Sequence, residues 1–336
     1  MRRLAEAVLH HRKRVVVVWL LIVVVGIALT GQTTKRLKID FSLPGQPGTD
    51  TANKIDSEFH SGGKTPPYLV SITLPAGQTV AAQGTSIGTA FAAIQSNVPS
   101  TRVVDEANTG DPAFRTKDGR TAYAMVFYRF LHDPRAKLPT SAIRAALTAA
   151  APAGTTVGVT GEDALATGNS SGTGPGVLAE TFLGALGALA VLAFVFASLL
   201  AFLPLVVAAA SILTTFILLL PLTYLTHVSF IVEFLVALIG LGVAIDYSLI
   251  FVTRWREERD HGRDNHDAVV TAMETAGRAV VFSGFTVAIG LLALVVLPVP
   301  FMRSIGMGGA LIPLASVFTT LTLTPAILGG IGPRVD

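Results

Sequence analysis

The chain has 336 residues, of which 51% are hydrophobic and only 14% charged. A soluble globular domain carries about 25% charged residues, so this deficit selects a membrane protein. Cysteine is absent, which excludes a disulfide framework, a thiol nucleophile and a thiolate metal site, and a net charge of +3 is too small to argue for nucleic acid.

Six apolar runs approach or reach the roughly 20 residues that cross a bilayer. They fall near 15–30, 177–199, 202–224, 229–252, 279–299 and 304–330. The first follows HHRKR (10–14), as the core of a signal peptide would, but no A-x-A cleavage site closes it and further spans follow. Orientation follows from Lys and Arg in the short segments. Arg2, Arg3, Arg12, Lys13 and Arg14 place the N-terminus in the cytoplasm, as do Arg254, Arg256, Arg259, Arg263 and Arg278 for the segment between spans four and five. The loop TYLTHVS (223–229) has neither residue, which suits the outer side. Six crossings return the C-terminus, with Arg334, to the cytoplasm. Residues 1–30 are thus the tail and first span, 31–176 an extracytoplasmic domain with its linker, and 177–336 a five-helix membrane domain.

The external segment alternates strands and helices. Strands are predicted at 68–74, 101–107, 121–131 and 155–161, and helices at 79–98 and 139–151. The order β-α-β-β-α-β is the ferredoxin-like arrangement of an α+β domain. TGNSSGTGPG (167–176) reads as a linker into the second span. The fold class is therefore a polytopic α-helical membrane protein of six spans with one extracytoplasmic α+β domain.

Within FIVEFLVALIGLGVAIDYSLIFVTRW (230–255) stands one acid, Asp246, followed by Tyr247. An ionised carboxylate at mid-bilayer depth costs roughly 2.5–3.5 kcal/mol, so an acid placed there marks a functional site. Desolvation disfavours the charged form, which suits a carboxyl that takes up and releases a proton; the alternative is a structural polar contact between helices. Gly240 and Gly242, and Gly284 in span five, allow close helix approach. Ser283 either packs as a small residue or donates to Asp246 from the adjacent helix. Glu233 and Glu180 are secondary polar sites toward the outer leaflet; Glu233 lies thirteen residues from Asp246, roughly 20 Å along a helix, too far to share its proton. Pro204, Pro221, Pro298, Pro300, Pro313 and Pro325 mark span ends or kinks. DNHDAVVTAMETAGR (264–278) begins with an Asp/Asn cap and places Ala268, Val269, Ala272, Met273 and Ala276 on one face, the pattern of an amphipathic helix at the cytoplasmic surface. An intramembrane aspartyl protease needs a second membrane aspartate, and no other Asp lies in a predicted span, so no enzyme is expected.

GLGVAIDYSLIFVTRWREE (240–258) followed by AGRAVVFSGFTVAIG (276–290) resembles the MMPL family of the resistance-nodulation-division (RND) superfamily, and FSLPGQPGTDTA (41–52) looks like the start of that family's porter region. The resemblance implies proton-motive-force-driven export of lipids or other hydrophobic molecules across the bacterial inner membrane, with no cofactor beyond the proton gradient. It implies that Asp246, Tyr247 and a hydroxyl such as Ser283 form a proton relay, and that 31–176 is a porter domain. Family members normally carry two such halves with facing Asp-Tyr pairs. This chain holds one half, so its expected partners are membrane lipid, a hydrophobic substrate, and a second half or second copy of itself. A non-transporting scaffold or regulatory subunit derived from a transporter half, or a protein-export accessory subunit, is the alternative.

Overall fold

The computed structural model describes residues 1–38, 41–129, 131, 136–168, 177–196 and 198–335. In chain order the elements are α1 (Arg2–His10), α2 (Arg12–Arg36), α3 (Pro47–Phe59), β1 (Tyr68–Thr73), α4 (Val80–Asn97), β2 (Thr101–Val104), α5 (Glu106–Thr109), β3 (Thr121–Tyr128), α6 (Thr140–Ala150), β4 (Thr156–Thr160), α7 (Glu162–Gly168), α8 (Val177–Phe196), α9 (Phe202–Leu225), α10 (Ile231–Asp260), α11 (Asn265–Leu292) and α12 (Pro300–Val335). They form two compact units, a membrane unit of Met1–Phe41 with Pro175–Asp336 and a sheet unit of Ser42–Gly174.

In the sheet unit the four strands pair antiparallel throughout in the order β2-β3-β1-β4. Period-two alternation turns Tyr68, Val70 and Ile72 of β1 and Ala122, Ala124, Val126 and Tyr128 of β3 to one face. That face packs on Ile87, Phe91 and Ile94 of α4 and on Ile143 and Leu147 of α6. The opposite face carries the cross-strand pair Leu69 and Met125, both partly exposed. Asp105 caps α5 reciprocally with Asn108, and Gly110 ends it in the left-handed region. Helix α3 was not foreseen. It begins on Pro47 and buries no residue, so it shows no apolar period to read. The predicted linker beyond Gly168 falls outside the described residues.

Five helices of the membrane unit are long and apolar enough to cross a bilayer, among the described residues: Arg12–Arg36, Phe202–Leu225, Ile231–Asp260, Asn265–Val296 and Pro300–Gly330. The sixth predicted span coincides with α8, whose described side chains form a shorter apolar stretch at Thr181–Val191. Helix α12 is central: 72% of its apolar window is buried, against 11% for α2, and it packs on α2, α9, α10 and α11. Hydroxyls tie the bundle where apolar side chains gain little from association in lipid. The Ser211 and Ser316 Oγ atoms lie 2.8 Å apart, and Trp19 Nε1 donates to Thr322 Oγ1 at 3.1 Å. The helix of α12 continues through Pro313 and Pro325, so neither ends the span.

The amphipathic segment at 264–278 differs from expectation. Asp264 does cap it, accepting from the Asp267 amide. However, the helix does not lie separately at the surface; it continues as α11 to Leu292. Ala268, Val269, Ala272 and Met273 are fully buried in the core beside Phe251 and Trp255. No proline interrupts 265–292, and Gly277 packs tightly against Met273 and Leu321, so helix propagation wins. The N-terminal residues, read only as a charged tail, form α1, which seats Ala5, Val8 and Leu9 on α11 and α12.

Candidate functional site

Successive residues on a helix point about 100° apart, so Asp246 and Tyr247 serve different faces of α10. Tyr247 turns inward, 5% exposed, against α11 and α12. Its hydroxyl meets Ser283 Oγ at 3.3 Å. Gly284 makes this possible: a Cβ there would collide with Val317 and come within 3.6 Å of Tyr247 Cε2. α11 therefore approaches α12 closely at the level of the Tyr247 ring. Of the two sequence readings of Ser283, packing or donation to Asp246, the structure shows its hydroxyl engaging Tyr247 instead of the carboxylate.

Asp246 is exposed on the outside of the single chain's bundle, and no hydrogen bond or ion pair reaches it among the described residues. It belongs to a ridge of exposed residues spaced four apart: Phe234, Leu238, Gly242, Asp246 and Ile250. Gly242, one turn before the acid, faces open space and notches the ridge, whereas Gly240 packs on Ile212 and Ile312 at ordinary contact distance. The neighbouring surface of α11 is apolar too, with Phe282, Phe285 and Ile289 exposed around Ser283. Glu233 is half-buried in the first turn of α10, at the far end of the helix from Asp246. Glu180 lies on α8 where the side chain is outside the described residues.

One polar network was missed from sequence. At the end of α10, Glu258 is 5% exposed; it pairs with Arg254, and its Oε2 accepts from Arg263 Nε at 2.7 Å. Beside it Trp255 Nε1 donates to Asn265 Oδ1 at 3.0 Å, and Asn265 Nδ2 donates to the Leu328 carbonyl at 3.1 Å. The signal was present as Glu258 four residues after Arg254, the usual spacing of a helical ion pair. This network joins the ends of α10, α11 and α12.

The sheet unit has its own buried polar pair. Tyr68 donates or accepts at Thr140 Oγ1 (2.9 Å), and Tyr128 donates to Asp163. Burial, chiefly, holds both phenols above their ordinary range, and the Asp163 carboxylate pushes Tyr128 further up. Both phenols therefore stay neutral, and Tyr128 is the donor to Asp163. On the same unit a cavity of about 800 Å³ opens between α4 and the 105–123 segment, lined by Thr85, Gly88, Phe91, Phe114 and Tyr123.

Fold and site define a class: a multi-pass membrane protein whose helix bundle sets one acid on an apolar ridge beside a buried tyrosine. The sequence profile of the MMPL family matches residues 40–335, and the chain belongs to that family, within the RND superfamily. It is 28% identical to membrane protein YdfJ of Bacillus subtilis over 98% of this chain and 44% of that protein. It is 41% identical to the mycolic acid-containing lipids exporter MmpL11 of Mycolicibacterium smegmatis over 43% of this chain and 15% of that one. It is 40% identical to the heme uptake protein MmpL11 of Mycobacterium tuberculosis over 42% and 15%. The chain thus spans less than half the length of these relatives.

Proposed function

We propose that this chain is one half of a proton-driven RND-type transporter that exports lipids or other hydrophobic molecules across the bacterial inner membrane. In this reading α8 completes six spans, both termini are cytoplasmic, and the sheet unit is an extracytoplasmic ferredoxin-like porter domain. Asp246 carries the proton, while Tyr247, held by Ser283 on the packed face, fixes how α10 is rotated beside it. Glu233 and Glu180 stay outside the relay. The single observation that carries the proposal is a carboxylate on an apolar membrane face, met by no group of its own chain among the described residues. Facing lipid, the ionised acid would cost roughly 2.5–3.5 kcal/mol. Two things relieve that cost: protonation, or a second half or second copy packed on the notch at Gly242. A site completed from outside and sensitive to proton occupancy is what a proton-coupled two-state machine needs. Each proton crossing 100 mV supplies about 2.3 kcal/mol, enough to bias such an equilibrium more than tenfold.

The lipid side rests on the exporter name of one relative; another is named for heme uptake, so the proposed cargo is a hydrophobic molecule rather than one lipid. The driving force comes from the membrane gradient, and the proposal includes no cofactor and no enzymatic step. A scaffold subunit would use the same open face without needing the proton. Asp246→Asn separates the two. In vesicles with an imposed pH gradient and a fluorescent phospholipid as cargo, it should abolish export while membrane insertion stays intact. Export at the unsubstituted rate would refute the proton carrier.

A further inference from the structure

At the end of the membrane unit where α2 and α9 finish and α10 and α12 begin lies a second, separate pocket of about 330 Å³. Three cationic or proton-binding side chains line it, Lys38, His227 and Arg303, together with Ser229, Ser304 and Phe301. No carboxylate lines it, and among the described residues no ion pair engages Lys38 or Arg303. Both cations are exposed, and the wall that carries them is held by backbone and hydroxyl bonds. The backbone after α2 pairs with the loop between α9 and α10: Lys38 N–H donates to the Val228 carbonyl at 3.0 Å, and Phe230 N–H to the Lys38 carbonyl at 3.1 Å. The Ser229 amide donates to Ser304 Oγ at 3.0 Å, binding the loop to α12. Arg303 Nε donates to the Leu297 carbonyl at 2.8 Å, which anchors the guanidinium and leaves its two terminal nitrogens without a partner among the described residues.

The surroundings fix the depth. Four apolar helices end or start here, so the pocket sits at a membrane–water boundary. Arg36 lies over the Tyr224 ring at 3.7 Å, an amphipathic pairing suited to that boundary. Tyr224, Leu225 and Val296 present exposed apolar surface nearby, and Phe41 stacks edge-on against Phe301 at 5.2 Å. The first turns of α10 and α12 add the positive ends of two helix dipoles.

We infer that this pocket binds a phosphate ester monoanion, with Lys38 and Arg303 as its charge-assisted donors and the neighbouring apolar surface receiving acyl chain when the ester is a lipid headgroup. Guanidinium and ammonium flanking one small pocket match phosphate oxygens in charge and donor geometry. The site lies near Glu233, at the opposite end of α10 from Asp246, and does not rest on the proton-carrier reading.

The test titrates the full chain in neutral detergent micelles with fluorescent phosphatidylglycerol and with diacylglycerol bearing the same chains, then adds inorganic phosphate. Phosphatidylglycerol should bind at least tenfold tighter than diacylglycerol. Lys38→Gln should weaken it about tenfold, the loss of one charge-assisted hydrogen bond, and Arg303→Gln similarly. The Lys38 side chain holds no structural bond among the described residues, so its variant keeps the fold even if Arg303→Gln loosens the start of α12. Competition by millimolar phosphate with the same variant dependence assigns the site to a free phosphate or soluble ester; resistance to it assigns a lipid headgroup. Either supports the inference. Equal binding of the two lipids, or Lys38→Gln binding phosphatidylglycerol as the unsubstituted chain does, overturns it. No pH gradient is applied, so a failure here and a failure of Asp246→Asn are read separately.

Discussion

In the sheet unit Asp118 is exposed and Ile72 fully buried; in the membrane unit Phe282 is 75% exposed and Ser211 fully buried. Each arrangement is stable in its own solvent. Water rewards the surface carboxylate and penalises exposed apolar area, about 25 cal/mol per Å². Lipid does neither, so an exposed phenylalanine there is ordinary and an exposed acid is the anomaly. The same residue type therefore carries opposite information in the two units. Asp118 on its turn needs no functional account, whereas Asp246 on its ridge does. The buried groups invert in the same way. In the sheet unit Tyr68 and Tyr128 must be satisfied because the interior is dry, while in the membrane unit hydroxyls such as Ser211 and Ser316 are the adhesive between helices.

The contrast is broken most severely at Gly284. Gly284→Val sets a branched side chain into Val317 and against the Tyr247 ring, where no open space exists. Overpacking of this kind costs about 1–3 kcal/mol, and here it also separates Tyr247 from Ser283. The yield of folded chain in detergent and its thermal midpoint should both fall sharply. Gly242→Val is the control on the open ridge. Nothing lies within 4 Å of its Cβ, so the single chain should fold unchanged, and any lost activity then reports on what covers the ridge. Equal destabilisation by the two substitutions would show that the ridge is packed within the chain after all.

A smaller effect is expected in the sheet unit. Tyr128→Phe removes the donor to Asp163 and so loosens the start of α7 from the sheet. Losing one such bond costs about 1 kcal/mol, which should raise amide exchange in Glu162–Gly168 roughly fivefold while leaving the membrane helices untouched. Exchange spreading into α10–α12 would contradict the independence of the two cores.

Local pattern made the strands, the Asp264 cap and the acid in α10 legible, because alternation, capping chemistry and a charge in an apolar run act within a few residues. Non-local geometry was not. Whether Ser283 meets Asp246 or Tyr247 depends on how α10 is rotated against α11, which Gly284 and Val317 decide from a third helix. That Asp246 faces outward follows from the same rotation. α3 was invisible for a different reason: with Ile55 and Phe59 its only large apolar residues and no buried face, it has no period. The join of 264–278 to span five was misplaced because a positive charge at Arg278 reads as a boundary, although helix hydrogen bonding continues through it.

The smallest predicted effect returns to Asp118. Its carboxylate accepts from Thr116 Oγ1 at 2.5 Å and from the Arg120 amide at 3.1 Å, closing the turn that passes through Gly119 at φ +67°. The Thr116 hydroxyl, foremost, and the Arg120 amide hold its pKa below the usual aspartate value. A depressed folded value means the turn gains stability above the ordinary aspartate range, near 3.9, and loses it as pH falls through the folded value. Carbon-detected NMR of the carboxyl should therefore give a midpoint below about 3.9, and Thr116→Val should return it toward that figure. A midpoint at or above it would mean the hydroxyl bond does not form in solution. The shift needs only two neighbouring donors in water, which is why a surface acid on a turn titrates as a local event. Around Asp246 no such donor stands among the described residues, so the ridge it occupies is left to be completed from outside.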